Sequence, residues 1–145
     1  MLRSRGGLPE CVIEDWPALP LRQIYWDDAH PRDRLHALKA AVRQAALVKL
    51  NGFALKLEGH FVFKSAPAVV EPQAMTAAEY QDLTDSALRY HVQLIPFLDS
   101  PGHIAFILKH PEYAALRAFP DSNYELCVTN TESDNQIHGM FQDLP

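Results

Sequence analysis

The run Val92-Gln93-Leu94-Ile95-Pro96-Phe97-Leu98 stops at Asp99, turns through Ser100-Pro101-Gly102 and presents His103. A carboxylate can orient or accept, and an imidazole can relay a proton near neutral pH, so the pair is a candidate for chemistry. Two earlier β-rich runs end the same way. "LRQIYWDD" closes on Asp27 and Asp28, and "FALKLEGHFVF" carries Glu58 and His60. Two chemistries fit these residue types. One is a metal site built from Glu58, His60, Asp99 and His103, since carboxylates and imidazoles ligate zinc and related ions. That reading lacks a first-strand H-x-H pair. The other is a proton-handling network in which a carboxylate orients a histidine. A plain structural role stands beside both: an aspartate before Ser-Pro-Gly can bond its own turn, and His103 can simply start a helix.

The elements that must position these groups alternate. "LRQIYWDD" reads as a first strand, and "PRDRLHALKAAVRQAALVKL" as a helix with Pro31 in its first turn. Its apolar positions Leu35, Leu38, Val42 and Ala45 share one face, and Asn51-Gly52 is expected to stop it. "FALKLEGHFVF" is the second strand. "TAAEYQDLTDSALRYH" opens with a capping box from Thr76 to Glu79. "VQLIPFLD" is a third strand, expected to be buried on both faces. "HIAFILKHPEYAALR" follows as one helix broken at Pro111, and "ESDNQIHGMFQDL" as a last helix capped by Thr131. Strand-helix alternation of this kind implies parallel strands joined by helical crossovers. Acids and histidines at the carboxyl ends of parallel strands are where (β/α) barrels build their sites. The expected class is α/β, a partial (β/α)₈ barrel comprising its first three βα units. Residues 1–20, broken by Gly6, Gly7, Pro9, Pro17 and Pro20, read as a linker or the edge of an upstream domain, and 21–145 as the barrel piece.

Composition narrows the partners. The chain has 145 residues, enough for one core, and a net charge of −5 with no Lys/Arg stripe, which argues against nucleic acid. No apolar run reaches the ~20 residues of a membrane span. "MLRSRGGLPECVIEDWP" has no apolar signal-peptide core, so the chain as written reads as soluble and cytoplasmic. Cys11 and Cys127 lie far apart in no metal-type spacing and read as incidental thiols.

"VQLIPFLDSPGHIAFILKHPEY" resembles the third-strand segment of family 20 glycoside hydrolases, the β-N-acetylhexosaminidases, in which a strand ends in Asp-x-Pro-Gly-His. "DWPALPLRQIYWDDAH" resembles their first strand and "ALVKLNGFALKLEGHFVF" their second, closest to the divergent hexosaminidase D-like branch. The order and spacing of all three agree from about Asp15 onward. The sequence departs in carrying Phe97 where many members have glutamate, and Arg22-Gln23 for Arg-Gly.

The resemblance implies a retaining, substrate-assisted hydrolase acting on glycans with terminal N-acetylhexosamine, with no cofactor and no metal. It implies that Arg22 grips sugar hydroxyls, that His103 lies beside the catalytic acid, that Asp99 supports that turn, and that Glu58 matches a strand-end glutamate. The family's acid/base Asp-Glu pair ends the fourth strand, and no Asp-Glu pair occurs in these residues. This chain alone is therefore expected to be inactive. Its rivals are a non-catalytic carbohydrate- or partner-binding remnant and the metal-dependent hydrolase above.

Overall fold

The computed structural model describes residues 10–29 and 33–145. Three parallel strands, β1 (Gln23–Asp27), β2 (Gly52–Lys56) and β3 (Gln93–Phe97), form one sheet in the order β1-β2-β3. Helix α1 (Leu35–Leu47) joins the first two strands and α2 (Ala77–Leu88) the last two. The register aligns Gln23 with Gly52 and Gln93, and Asp27 with Lys56 and Phe97. All three strands therefore finish level with one another.

Side chains alternate across a strand, so the register sorts them into two faces. Phe53 and Leu55 are fully buried and Leu94 nearly so, with Ile24 and Trp26 packed against them. Trp26 stacks on Phe53 at 5.6 Å. Helix α1 buries Leu38, Val42 and Ala45, and α2 buries Tyr80, Leu83 and Ala87. The two helices pack on each other, and α2 also packs on β3. The opposite face carries Tyr25, Ala54, Ile95 and Phe97, and there Tyr25 is 49% and Phe97 38% exposed.

That face corrects the expectation of a third strand buried on both sides. Leu94 is buried, but Gln93 and Phe97 are exposed and Ile95 is half-buried. Pro96 sits safely within β3 for a related reason. Gln93 donates its N–H to Asn51 O, just before β2, so the alternate N–H positions, including the one proline lacks, point away from β2.

Element boundaries differ from expectation at four places. The α1 helix stops at Leu47, and the left-handed residue after it is Lys49 (φ 64°), not Gly52. Asn51 instead accepts the Arg22 N–H at 2.8 Å, and Gly52 opens β2. The second strand ends at Lys56, because Glu58–His60 turn into a short 3₁₀ segment with Glu58 at φ 42°. Asn130, not Thr131, caps the last helix α4 (Thr131–Gln142) by accepting the Glu132 N–H at 3.0 Å. Pro31 lies outside the described residues.

The capping box is as expected: Thr76 accepts from Glu79 N–H, and the Glu79 carboxylate accepts from Thr76 N–H. The break at Pro111 is present too, separating the short helix α3 (Ala105–Leu108) from a 3₁₀ segment at Pro111–Leu116. The Ser100–Pro101 peptide is cis. Residues 10–22 form no helix or strand, and among the described residues no helix is long and apolar enough to cross a membrane.

Candidate active site at the carboxyl ends of the strands

Each strand delivers one acid to the same end of the sheet, and a lysine gathers them. Lys56 is the last residue of the central strand, and its ammonium lies 2.7 Å from Asp99 Oδ2, 2.8 Å from Glu58 Oε1 and 3.9 Å from Asp27 Oδ2. Asp27 ends β1, Glu58 follows β2 and Asp99 follows β3. Burial opposes a charge on Lys56, but the carboxylates of Asp99 and Glu58 outweigh it and hold the ammonium well above its ordinary pKa. Tyr25, below the cluster, has its phenol pKa raised by burial, with Lys56 opposing and the Asp27, Asp99 and Glu58 carboxylates adding.

The turn carrying Glu58 is held from behind. A Cβ on Gly59 would come within 2.6 Å of the Val69 carbonyl oxygen, so only glycine lets the two segments approach this closely. Glu71 N–H donates to Gly59 O at 2.9 Å, and Met75 N–H donates to His60 O at 2.7 Å. His60 is buried, with Nδ1 on the Asp28 carbonyl and Nε2 3.2 Å from the Glu71 carboxylate. It braces the turn rather than facing solvent.

His103 closes the other side. It adopts φ 56°, is exposed, and its Nε2 lies 2.8 Å from the Tyr124 hydroxyl. Lys56, Glu58, His103, Phe106 and Tyr124 line a cleft of about 450 Å³. A second cleft of about 420 Å³ lies between α4 and the Ser100–Pro101 turn, away from the charged cluster.

The structure thus brings Glu58, Asp99 and His103 to one end of the sheet, and it does not bring Arg22 there. Arg22 precedes β1 at the opposite end, and the five-residue strand between spans about 16 Å at ~3.3 Å per residue. Its guanidinium donates to the carbonyls of Leu19 (2.6 Å), Pro20 (3.1 Å) and Lys49 (2.7 Å), fastening residues 19–20 to the chain after α1. The metal reading meets a similar difficulty. His60 is turned into the core, His103 is held by Tyr124, and both carboxylates are taken by Lys56. Among the described residues no group of three or more His, Cys, Asp or Glu is arranged to hold a metal ion.

Sequence reading missed Lys56 and Tyr124. A lysine inside "FALKL" has a signal, since a charge in the central strand of a parallel sheet needs partners. Tyr124 has none, because only the fold sets it opposite His103.

No family model matches the sequence, and no curated protein matches it. Solved structures do match the fold. A chitobiase from Flavobacterium johnsoniae superposes with a TM-score of 0.75 at 19% identity, over 89% of this chain and 22% of that one. A glycoside hydrolase family 20 exo-β-N-acetylglucosaminidase from Vibrio harveyi, in complex with N-acetylglucosamine, gives 0.73 at 19% identity, over 89% and 26%. The family 20 β-N-acetylhexosaminidase from Streptomyces coelicolor A3(2) gives 0.70 at 20% identity, over 85% and 30%. The chain has a mixed α/β fold with a small parallel sheet similar to family 20 domains, and it spans about a quarter of the length of these enzymes.

Proposed function

We propose that this chain is the front part of a (β/α)₈ barrel of a family 20 glycoside hydrolase, and that the parent removes terminal β-linked N-acetylhexosamine from glycans. The convergence of Asp27, Glu58 and Asp99 on one strand end supports this reading most directly, because it coincides with the Asp99-Ser-Pro-Gly-His103 turn. In the proposed mechanism the substrate's 2-acetamido oxygen attacks the anomeric carbon, taking the place of an enzyme nucleophile. An acid elsewhere in the parent protonates the leaving oxygen and then activates water.

Within this chain the residues have supporting roles. Glu58 and Asp99 are already bonded to a cation, so they suit accepting sugar hydroxyl protons in hydrogen bonds and fixing the rim. His103 borders the cleft as the group nearest to proton transfer. Arg22 is not assigned to the sugar, given its place and its three carbonyl partners. The 145 residues alone are proposed to be catalytically inactive, as they contain no Asp-Glu pair.

Extending the coding sequence past Pro145 tests the reading. A further strand ending in Asp-Glu, with release of N-acetylhexosamine by the longer product, is the expected result. Absence of that pair overturns the hydrolase assignment, and turnover of an aryl N-acetylglucosaminide by the 145-residue chain overturns its inactivity.

A further inference from the structure

Tyr124 stands opposite His103 because the backbone places it there. Leu126 N–H donates to Pro101 O at 2.9 Å and Ile104 N–H donates to Tyr124 O at 3.2 Å, so residues 124–126 run against the Pro101–Ile104 turn. Gly102 and Glu125 form an antiparallel bridge between the two segments. The far side of this segment is held as firmly. Cys127 N–H donates to Leu116 O at 2.8 Å, Ala118 N–H donates to Glu125 O at 3.0 Å, and the Arg117 guanidinium donates to the Leu108 and Pro120 carbonyls. Both segments are fixed, so the ring contact between them is a built feature. The centroids lie 4.9 Å apart at 60°, and the hydroxyl reaches Nε2 at 2.8 Å.

A neutral imidazole carries its proton on one nitrogen, and its partners decide which. A phenol is a better donor than a neutral imidazole N–H and is protonated throughout the neutral range. Among the described residues Nδ1 of His103 has no hydrogen-bond partner. We infer that Tyr124 is a positioning residue: its hydroxyl donates to Nε2 and fixes His103 as the Nδ1–H tautomer, leaving Nδ1–H as the donor available to a molecule in the cleft. A donor there complements the Glu58 carboxylate acceptor, which lines the same cleft. The use of that donor on a sugar rests on the proposed function. The tautomer itself does not.

The test is a long-range proton–nitrogen correlation spectrum of the ¹⁵N-histidine-labelled 145-residue chain, at a pH where imidazoles are neutral. The chain has seven histidines, and a His103→Gln sample identifies the signals of interest. The expected wild-type pattern is a protonated Nδ1 and a bare Nε2 at His103. Tyr124→Phe keeps the ring and removes the donor, so it is expected to return His103 toward a mixture of tautomers while the other six histidines keep their shifts. A bare Nδ1 in the wild-type chain overturns the inference, whatever the variant does. A His103 pattern unchanged in Tyr124→Phe overturns it as well. No substrate enters the measurement, so failure of the hydrolase reading would leave the result standing, and the reverse.

Discussion

The two faces of the sheet carry similar numbers of apolar residues and are treated in opposite ways. Phe53, Leu55 and Leu94 lie under α1 and α2, whereas Tyr25 and Phe97 meet edge to face at 5.1 Å in partial exposure across the small Ala54. Parallel sheets ordinarily have both faces covered. The covered face of this sheet therefore packs under one layer of helices, and the acid cluster stands on the rim of the open face. The face that holds the fold and the rim that carries the acids are separable, and single substitutions can show it.

The largest contrast is between two phenylalanines on the two faces. Phe53→Ala leaves a void beneath α1 and α2 and is expected to lower unfolding stability by about 3–5 kcal/mol in urea titration. Phe97→Ser removes a partly exposed ring and is expected to cost under about 1 kcal/mol, while reducing binding of a hydrophobic dye. Equal losses at the two sites would mean that the open face is covered in solution.

Lys56 comes next. Lys56→Met leaves Glu58, Asp99 and Asp27 facing one another without their cation, which is expected to cost on the order of 2 kcal/mol. The loss should grow as salt is removed, since like charges then repel across longer range. A loss independent of salt would make Lys56 a packing residue and dissolve the rim as a separate unit. Thr76→Ala should cost about 1 kcal/mol by ending the reciprocal cap, with the effect confined to the α2 layer. Amide exchange in α2 should rise while exchange in β1 stays as it was.

The covered face was the legible part of this molecule. Leu35, Leu38, Val42 and Ala45 recur at helical spacing, Thr76 and Glu79 spell a capping box, and β-branched or aromatic runs alternate with them, so the order of elements and the parallel sheet follow. Boundaries were less legible where two neighbours offer the same chemistry. Asn130 and Thr131 are both good caps, and Lys49 takes the left-handed turn that Gly52 would adopt more easily. The open face and its rim depend on register, which no local pattern reports. Asp99 and His103 were visible as a strand end, but the lysine that gathers three carboxylates appears only once β1, β2 and β3 are aligned. Arg22 shows the opposite limit: a motif match fixed its residue type and not the end of the strand on which it sits.

The smallest effect comes from the end of α4, whose Met140 is buried in the core. Asp143, just past α4, accepts hydrogen bonds from Ser65 N–H at 2.7 Å and from the Ser65 hydroxyl at 2.8 Å. Burial works to raise its pKa, but these bonds with Ser65, and the nearby Lys64, hold it below the ordinary carboxylate value. A carboxyl lowered on folding stabilises the native state above its unfolded value of about 3.9 and loses that contribution as pH falls through the folded value. Asp143→Asn is therefore expected to lower stability slightly at neutral pH, by less than about 1 kcal/mol, with the gap to wild type closing below pH ~4. Urea titrations at the two pH values measure it. A gap that persists in acid would mean that the asparagine disturbs the packing of α4 and its buried Met140, and not only the bonds of the carboxylate to Ser65.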